Sequence, residues 1–205
     1  MAGQVIGGRW KPAHYWYRKS IFADVMATCG AKGVCYVKND SPETFAGIVT
    51  VTSYRFATGT PTVLYTEPVA LAAGPGVMSW FTITMPSNLS EEILTAVVST
   101  ATDDLVISDN LIPLTAPVHM AISKAEISLT VADQAATDGS VAITVTTDKV
   151  AVYVTLTTLA NGRFSDNAFL LLPAAPLTLQ FHPFGALDLA RLKASLRVED
   201  LSAYI

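Results

Sequence analysis

Three histidines, two cysteines and a handful of clustered acids are the residues of this chain with chemistry to offer. His14, His119 and His182 stand apart from one another, none lies in a motif for a Ser or Cys nucleophile, and no G-x-S-x-G is present. Glycoside hydrolysis needs two carboxyl groups flanking one bond. Glu91-Glu92 and Asp103-Asp104 are adjacent pairs. Adjacent side chains in a strand or turn point apart, so neither pair converges on a sugar. Asp138, Asp148 and Asp166-Asn167 do not have the spacing of a calcium loop and read as turn formers. Cys29 and Cys35 match no zinc pattern; they are either two packed thiols or a short-loop disulfide. Gly7-Gly8 precede a short polar piece, not a strand-to-helix turn, so no phosphate loop is formed and no cofactor is expected. Catalytic, cofactor-binding and metal-binding residues are all expected to be none. Asn39-Asp40-Ser41 and Asn88-Leu89-Ser90 fit the N-glycosylation acceptor pattern. Trp10, Tyr15, Trp16 and Tyr17 gather near the start, where rings either stack on a glycan or pack a helix.

The elements around these residues are mostly strands. Between residues 150 and 184, Val150, Val152, Val154 and Leu156 alternate with less apolar neighbours, and Leu177, Leu179 and Phe181 do the same. That is the period of half-buried strands. Asn161-Gly162 and Ser165-Asp166-Asn167 lie between them as a structured loop. The two strands are expected to face one core of an antiparallel sandwich.

Residues 11–24 read as a helix, with Pro12 in its first turn. Ala13, Trp16, Tyr17, Ser20 and Ile21 fall on one face. That face is covered either by the following sandwich or by a domain outside this chain. Strands are then expected at 33–37, 46–56, 62–66, 69–73, 78–85, 93–100, 105–108 and 111–118, with Pro68 marking an edge or a bulge. A linker at 119–124 precedes a second set at 125–132, 141–147, 150–158 and 177–183. A short helix at 187–196 has Asp188 at its start and Arg191, Lys193 and Arg197 towards its end, the polarity that suits its dipole.

At 205 residues there is room for two sandwich domains of roughly 100 residues each. The fold expected is all-β, two tandem immunoglobulin-like β-sandwiches preceded by a short N-terminal helix. The boundaries fall at 1–24, 25–120 and 121–205. Apolar residues make up 51% and charged residues 15%, against about 25% charged in an average domain. This composition fits either a well-buried β protein or a piece exposing a former interface. The net charge of -4 and the lack of a basic stripe argue against nucleic acid. The most apolar run, 69–81, is broken by Gly74-Pro75-Gly76 and is too short to span a membrane as a helix. The start has no basic stretch followed by an apolar block, so no signal peptide is expected.

Gly8-Arg9-Trp10-Lys11, His14-Tyr15 and Phe22-Ala23-Asp24 resemble a segment of glycoside hydrolase family 2 β-mannosidases. In that family the segment follows the catalytic (β/α)8 barrel and forms its last helix. Pro12-Ala13 stand where a more apolar pair is usual. Gly33-Val34-Cys35-Tyr36-Val37 resembles the opening strand of the family's immunoglobulin-like domain, and Ser108-Asp109-Asn110 the segment near its end. Leu156-Thr157-Thr158 and Gly162-Arg163-Phe164-Ser165-Asp166-Asn167-Ala168-Phe169 resemble its last domain, especially in the plant-type endo-β-mannosidase and exo-β-glucosaminidase branch. His182-Pro183-Phe184-Gly185 and Leu196-Arg197-Val198 continue the likeness. The resemblance implies the C-terminal portion of a retaining glycosidase acting on β-mannosides or β-glucosaminides. Both catalytic glutamates of that family lie in the barrel, and no position here corresponds to them. It also implies that Trp10, Ala13, Trp16, Tyr17 and Ile21 meet the barrel. The alternative is a free-standing carbohydrate-binding or interaction module holding a glycan, or a dimer formed through the helix face.

Overall fold

The computed structural model describes residues 5–6 and 9–205; Gly7 and Gly8 lie outside the described residues. A two-residue hairpin, β1 (Val5–Ile6) and β2 (Arg9–Trp10), leads into α1 (Pro12–Lys19). Seven strands follow: β3 (Val25–Cys29), β4 (Val34–Asn39), β5 (Phe45–Arg55), β6 (Pro61–Leu71), β7 (Val77–Thr82), β8 (Glu92–Thr100) and β9 (Val106–Pro113). After a 3-10 turn at Pro117–His119 come β10 (Ile127–Val131), β11 (Val141–Thr147), β12 (Ala151–Thr157), β13 (Gly162–Phe164), β14 (Phe169–Leu171) and β15 (Leu177–Pro183). The chain closes with α2 (Leu189–Ser195) and β16 (Arg197–Glu199). The fold is mostly β with short helices, as expected.

Two compact units form. One holds Tyr17–Phe56 and Thr60–Ala121; the other holds the described residues up to Trp16, with Ala57–Gly59 and Ile122–Ile205. The division falls inside α1.

In the first unit a three-stranded sheet, β3-β4-β7, and a four-stranded sheet, β6-β5-β8-β9, share one core. Alternation produces it: Cys35 and Val37 of β4 point inward beside Val25 and Ala27 of β3, and Val49, Val51, Leu94, Ala96 and Val98 come from the larger sheet. Asn110 of β9 donates from Nδ2 to the Ala27 carbonyl oxygen at 3.2 Å, so a buried polar side chain ties the two sheets together. Cys29 and Cys35 are directly opposite in the β3–β4 ladder and form a disulfide. The choice between free thiols and a bond, open in the sequence, is settled by that register.

In the second unit the sheets are β10-β11-β15-β13 and β14-β12-β16. Val141, Ile143, Val145, Leu179 and Phe181 from one sheet meet Ala151, Val154, Leu156, Phe169 and Leu171 from the other. Leu192 of α2 and Tyr15 of α1 complete this core. The strands expected around 150–158 and 177–183 do face one core, from opposite sheets.

Several elements differ from expectation. The first helix covers Pro12–Lys19 instead of 11–24, because the chain turns at residues 20–24 and Val25–Cys29 is drawn into a strand by its ladder with β4. Residues 62–66 and 69–73 are one strand, β6; Pro68 sits opposite Ile48 on the edge of the sheet, where a missing N–H costs no ladder bond. The segments at 105–108 and 111–118 likewise contribute to a single strand, β9, which ends at Pro113. The loop expected between 158 and 177 supplies β13 and β14, which are three residues each. In β12 strict alternation breaks at a register shift between Ala151 and Val154, where Tyr153 takes φ 54°, so Ala151, Val152 and Val154 are all buried.

Candidate functional site

The two motifs furthest apart in sequence meet in the second unit. Tyr15, 3% exposed, is the buried residue of α1. Its hydroxyl oxygen accepts from the Phe164 backbone N–H at 3.2 Å, across 149 positions of sequence. Trp10 lies edge-on to Tyr15 at 5.2 Å, and the Arg163 guanidinium carbon sits 4.6 Å over the Trp10 ring. A planar cation over an indole face is a favourable arrangement. Trp10 and Tyr15 touch each other, and they are tied to β13 by a hydrogen bond and a cation–ring contact.

Each residue of the 162–167 motif has a structural task. A side chain at Gly162 would meet Phe181 Cζ at 2.4 Å and the His182 carbonyl oxygen at 2.5 Å. Phe164 packs edge-to-face on Phe181 at 5.5 Å. Ser165 Oγ accepts from Gln180 N–H at 2.9 Å, and its own N–H donates to the Gln180 oxygen at 2.7 Å. Asp166 Oδ1 accepts from the Asn167 N–H at 2.7 Å. Asn167 is buried and bridges to β12: Oδ1 accepts from Leu156 N–H at 2.8 Å, and Nδ2 donates to the Leu156 oxygen at 2.9 Å. The side chain acts as one rung of a sheet, supplying a donor and an acceptor that no backbone provides there.

These residues line a cleft of about 130 Å³, walled by Arg9, Trp10, Pro12, Tyr15, Arg163 and Phe164 and floored by Leu156, Gly162 and Asn167.

Trp10 and Trp16 are half-buried; Trp16 stands edge-on to Tyr153 at 6.4 Å. Ala13 is exposed, as is Ile21 beyond the helix end, and Tyr17 is half-buried with its ring 5.8 Å from Phe22. Tyr15, which does the anchoring, lies off the expected stripe. Its signal was its place beside His14 in the motif, since periodicity pointed elsewhere. His14 is half-buried against Trp10 at 4.6 Å. His182 is opposite Arg163 in the β13–β15 ladder, and His119 ends the 3-10 turn.

Three of the acids are engaged locally. Glu92 accepts from Ser53 and pairs with Arg55 at 3.7 Å. Asp103 accepts from Thr100 in a turn, and that bond holds its carboxyl below the usual carboxylate range. Asp138 accepts from Ser140 Oγ at 2.7 Å, which lowers it in the same way. Asn39, the first of the two glycosylation triplets, is fully buried. Its Nδ2 donates to the Glu43 oxygen at 2.7 Å and the Ala72 oxygen at 2.9 Å, so it braces a turn, whereas Asn88 is exposed.

Residues 122–204 match the Ig_mannosidase family model, an Ig-fold domain. Over that segment the chain is similar to mannosidase immunoglobulin-like domains. Among solved structures, it is similar to the β-D-mannosidase of Dictyoglomus thermophilum, with 18% identity and a TM-score of 0.68, over 93% of this chain and 23% of that one. It is similar also to the exo-chitosanase CsxA of Amycolatopsis orientalis, with 18% identity and a TM-score of 0.59, over 93% of this chain and 27% of that one. The chain spans about a quarter of the length of those proteins. No curated protein sequence matches. The resemblance read from the 162–169 motif agrees with the family match over residues 122–204.

Proposed function

We propose that this chain is the non-catalytic C-terminal β-sandwich region of a β-mannosidase-like glycoside hydrolase. The parent hydrolyses β-mannosides or β-glucosaminides by a retaining mechanism, with the catalytic glutamates carried on a (β/α)8 barrel. The observation that carries this reading is the Tyr15–Phe164 hydrogen bond with Arg163 over Trp10. It fastens the segment that resembles the end of a barrel onto the mannosidase immunoglobulin-like domain. In this reading Trp10, Ala13, Trp16, Tyr17 and Ile21 belong to the surface that meets the barrel. Half-buried rings and exposed apolar side chains suit a face that another domain covers. The test is the genomic sequence upstream of Met1: an in-frame barrel with two glutamates supports the reading, and an unrelated upstream frame counts against it.

A second reading, a glycan-binding module, is favoured by Trp80. Its ring is 63% exposed on the β3-β4-β7 sheet, 5.2 Å from Tyr36. Two neighbouring rings on an open sheet form a stacking platform for a sugar face. Binding to a glycan array that is lost on Trp80→Ala would establish it.

A further inference from the structure

We infer that the cleft between β2 and β13 is a binding site for a carboxylate, with Arg9 and Arg163 as its cationic walls. Both arginines line the cleft, and neither forms an ion pair among the described residues. No Asp or Glu lines it. In a chain whose net charge is -4, two guanidinium groups at one cavity without a carboxylate between them are a local reversal of sign. Arg197 adds to it: it is opposite Thr157 in the β12–β16 ladder, and Thr157 lines the same cleft. The neighbouring acid, Asp166, is not a wall of the cleft, and its Oδ1 is taken by the Asn167 N–H at 2.7 Å.

The geometry favours an oxyanion of defined shape. Arg163 rests on the Trp10 ring with its guanidinium carbon 4.6 Å from the centroid. Arginine grips a carboxylate through two parallel N–H bonds, and contact with an indole ring does not consume those donors. Trp10 and Pro12 are among the lining residues, so that water competes less with the ion than on an open surface. The volume, about 130 Å³, suits a carboxylate with a few attached carbons. Two sources present that chemistry: a glutamate or aspartate side chain of an adjoining protein segment, or a uronic acid. The inference stands whether or not the chain serves a glycosidase.

The experiment is an NMR titration of the full chain, following the Trp10 indole N–H and the Phe164 amide. The probes are acetyl-glutamate amide and methyl β-glucuronoside, with acetyl-glutamine amide and methyl β-glucoside as neutral counterparts. Saturable shifts are expected with the acids and none with the neutral pair. Affinity is expected to fall at least tenfold in Arg163→Gln, with the amide spectrum otherwise retained because Arg163 is exposed. Arg9→Gln gives an independent second loss. Binding of either acid supports the site, and the tighter one identifies its source. No saturable shift, equal shifts from the neutral counterparts, or unchanged affinity in a folded Arg163→Gln and Arg9→Gln double variant overturns it.

Discussion

Asn167 ties the loop between β13 and β14 to β12 with one side chain. Replacing it by alanine orphans the Leu156 N–H and the Leu156 carbonyl, both buried. Each orphaned backbone group costs about 1–3 kcal/mol, so Asn167→Ala is expected to lose roughly 2–4 kcal/mol in chemical denaturation. Asn167→Asp keeps the acceptor and loses the donor, and is expected to fall between the two. A second residue-scale expectation concerns acid. Asp40 is held low by its bond from Lys38, Asp103 by Thr100, Asp133 by Lys193 and Asp138 by Ser140. A carboxyl whose folded value lies below its unfolded one stabilises the fold above the unfolded value of about 3.9 and stops doing so as pH falls through the folded value. Thermal midpoints are therefore expected to be level from about pH 5 to 7 and to drop below about pH 4. A rise in the midpoint on acidification would reverse the sign and refute this. Residue roles were partly legible in the sequence. The Ser165-Asp166-Asn167 run announced local hydrogen bonding. That Asn167 would reach Leu156 could not be read, because its partner is chosen by the sandwich and not by neighbours in sequence.

At the scale of elements, β13 is three residues long and still decisive, since it joins the 9–16 segment to β15. Its pairing allows no side chain at Gly162, where a Cβ would stand 2.5 Å from the His182 backbone oxygen. Gly162→Ala is expected to cost about 1–3 kcal/mol by overpacking, and to disturb the Arg163–Trp10 contact with it. Urea denaturation together with the Trp10 fluorescence maximum reads both effects; an unchanged midpoint would show that the ladder yields easily. The long strands were visible because alternation runs for several periods, as in β5, β8 and β11. Strands of three residues contain no period to detect. The break in β12 at Tyr153 was hidden for the opposite reason: a valine-rich run looks regular whether or not a bulge turns its faces over. The burial of Tyr15 could not be read from helical spacing. Spacing placed Trp16 and Ile21 on a stripe, whereas the buried ring is that of Tyr15, selected by its hydrogen bond to β13.

For the whole molecule, the overlay covers 93% of this chain but only 23% of the Dictyoglomus β-D-mannosidase. Both compact units are accounted for by apolar alternation, a disulfide, and buried amides that bridge strands. Three of the acids are engaged locally: Glu92 with Ser53 and Arg55, Asp103 with Thr100, Asp138 with Ser140. The proposed role is support of a reaction carried out elsewhere. The purified chain, incubated with nitrophenyl β-mannoside and nitrophenyl β-glucosaminide, tests that most directly. The expected result is nitrophenol release no faster than in buffer with either substrate. Saturable release that is abolished by replacing a single carboxylate of this chain would contradict it.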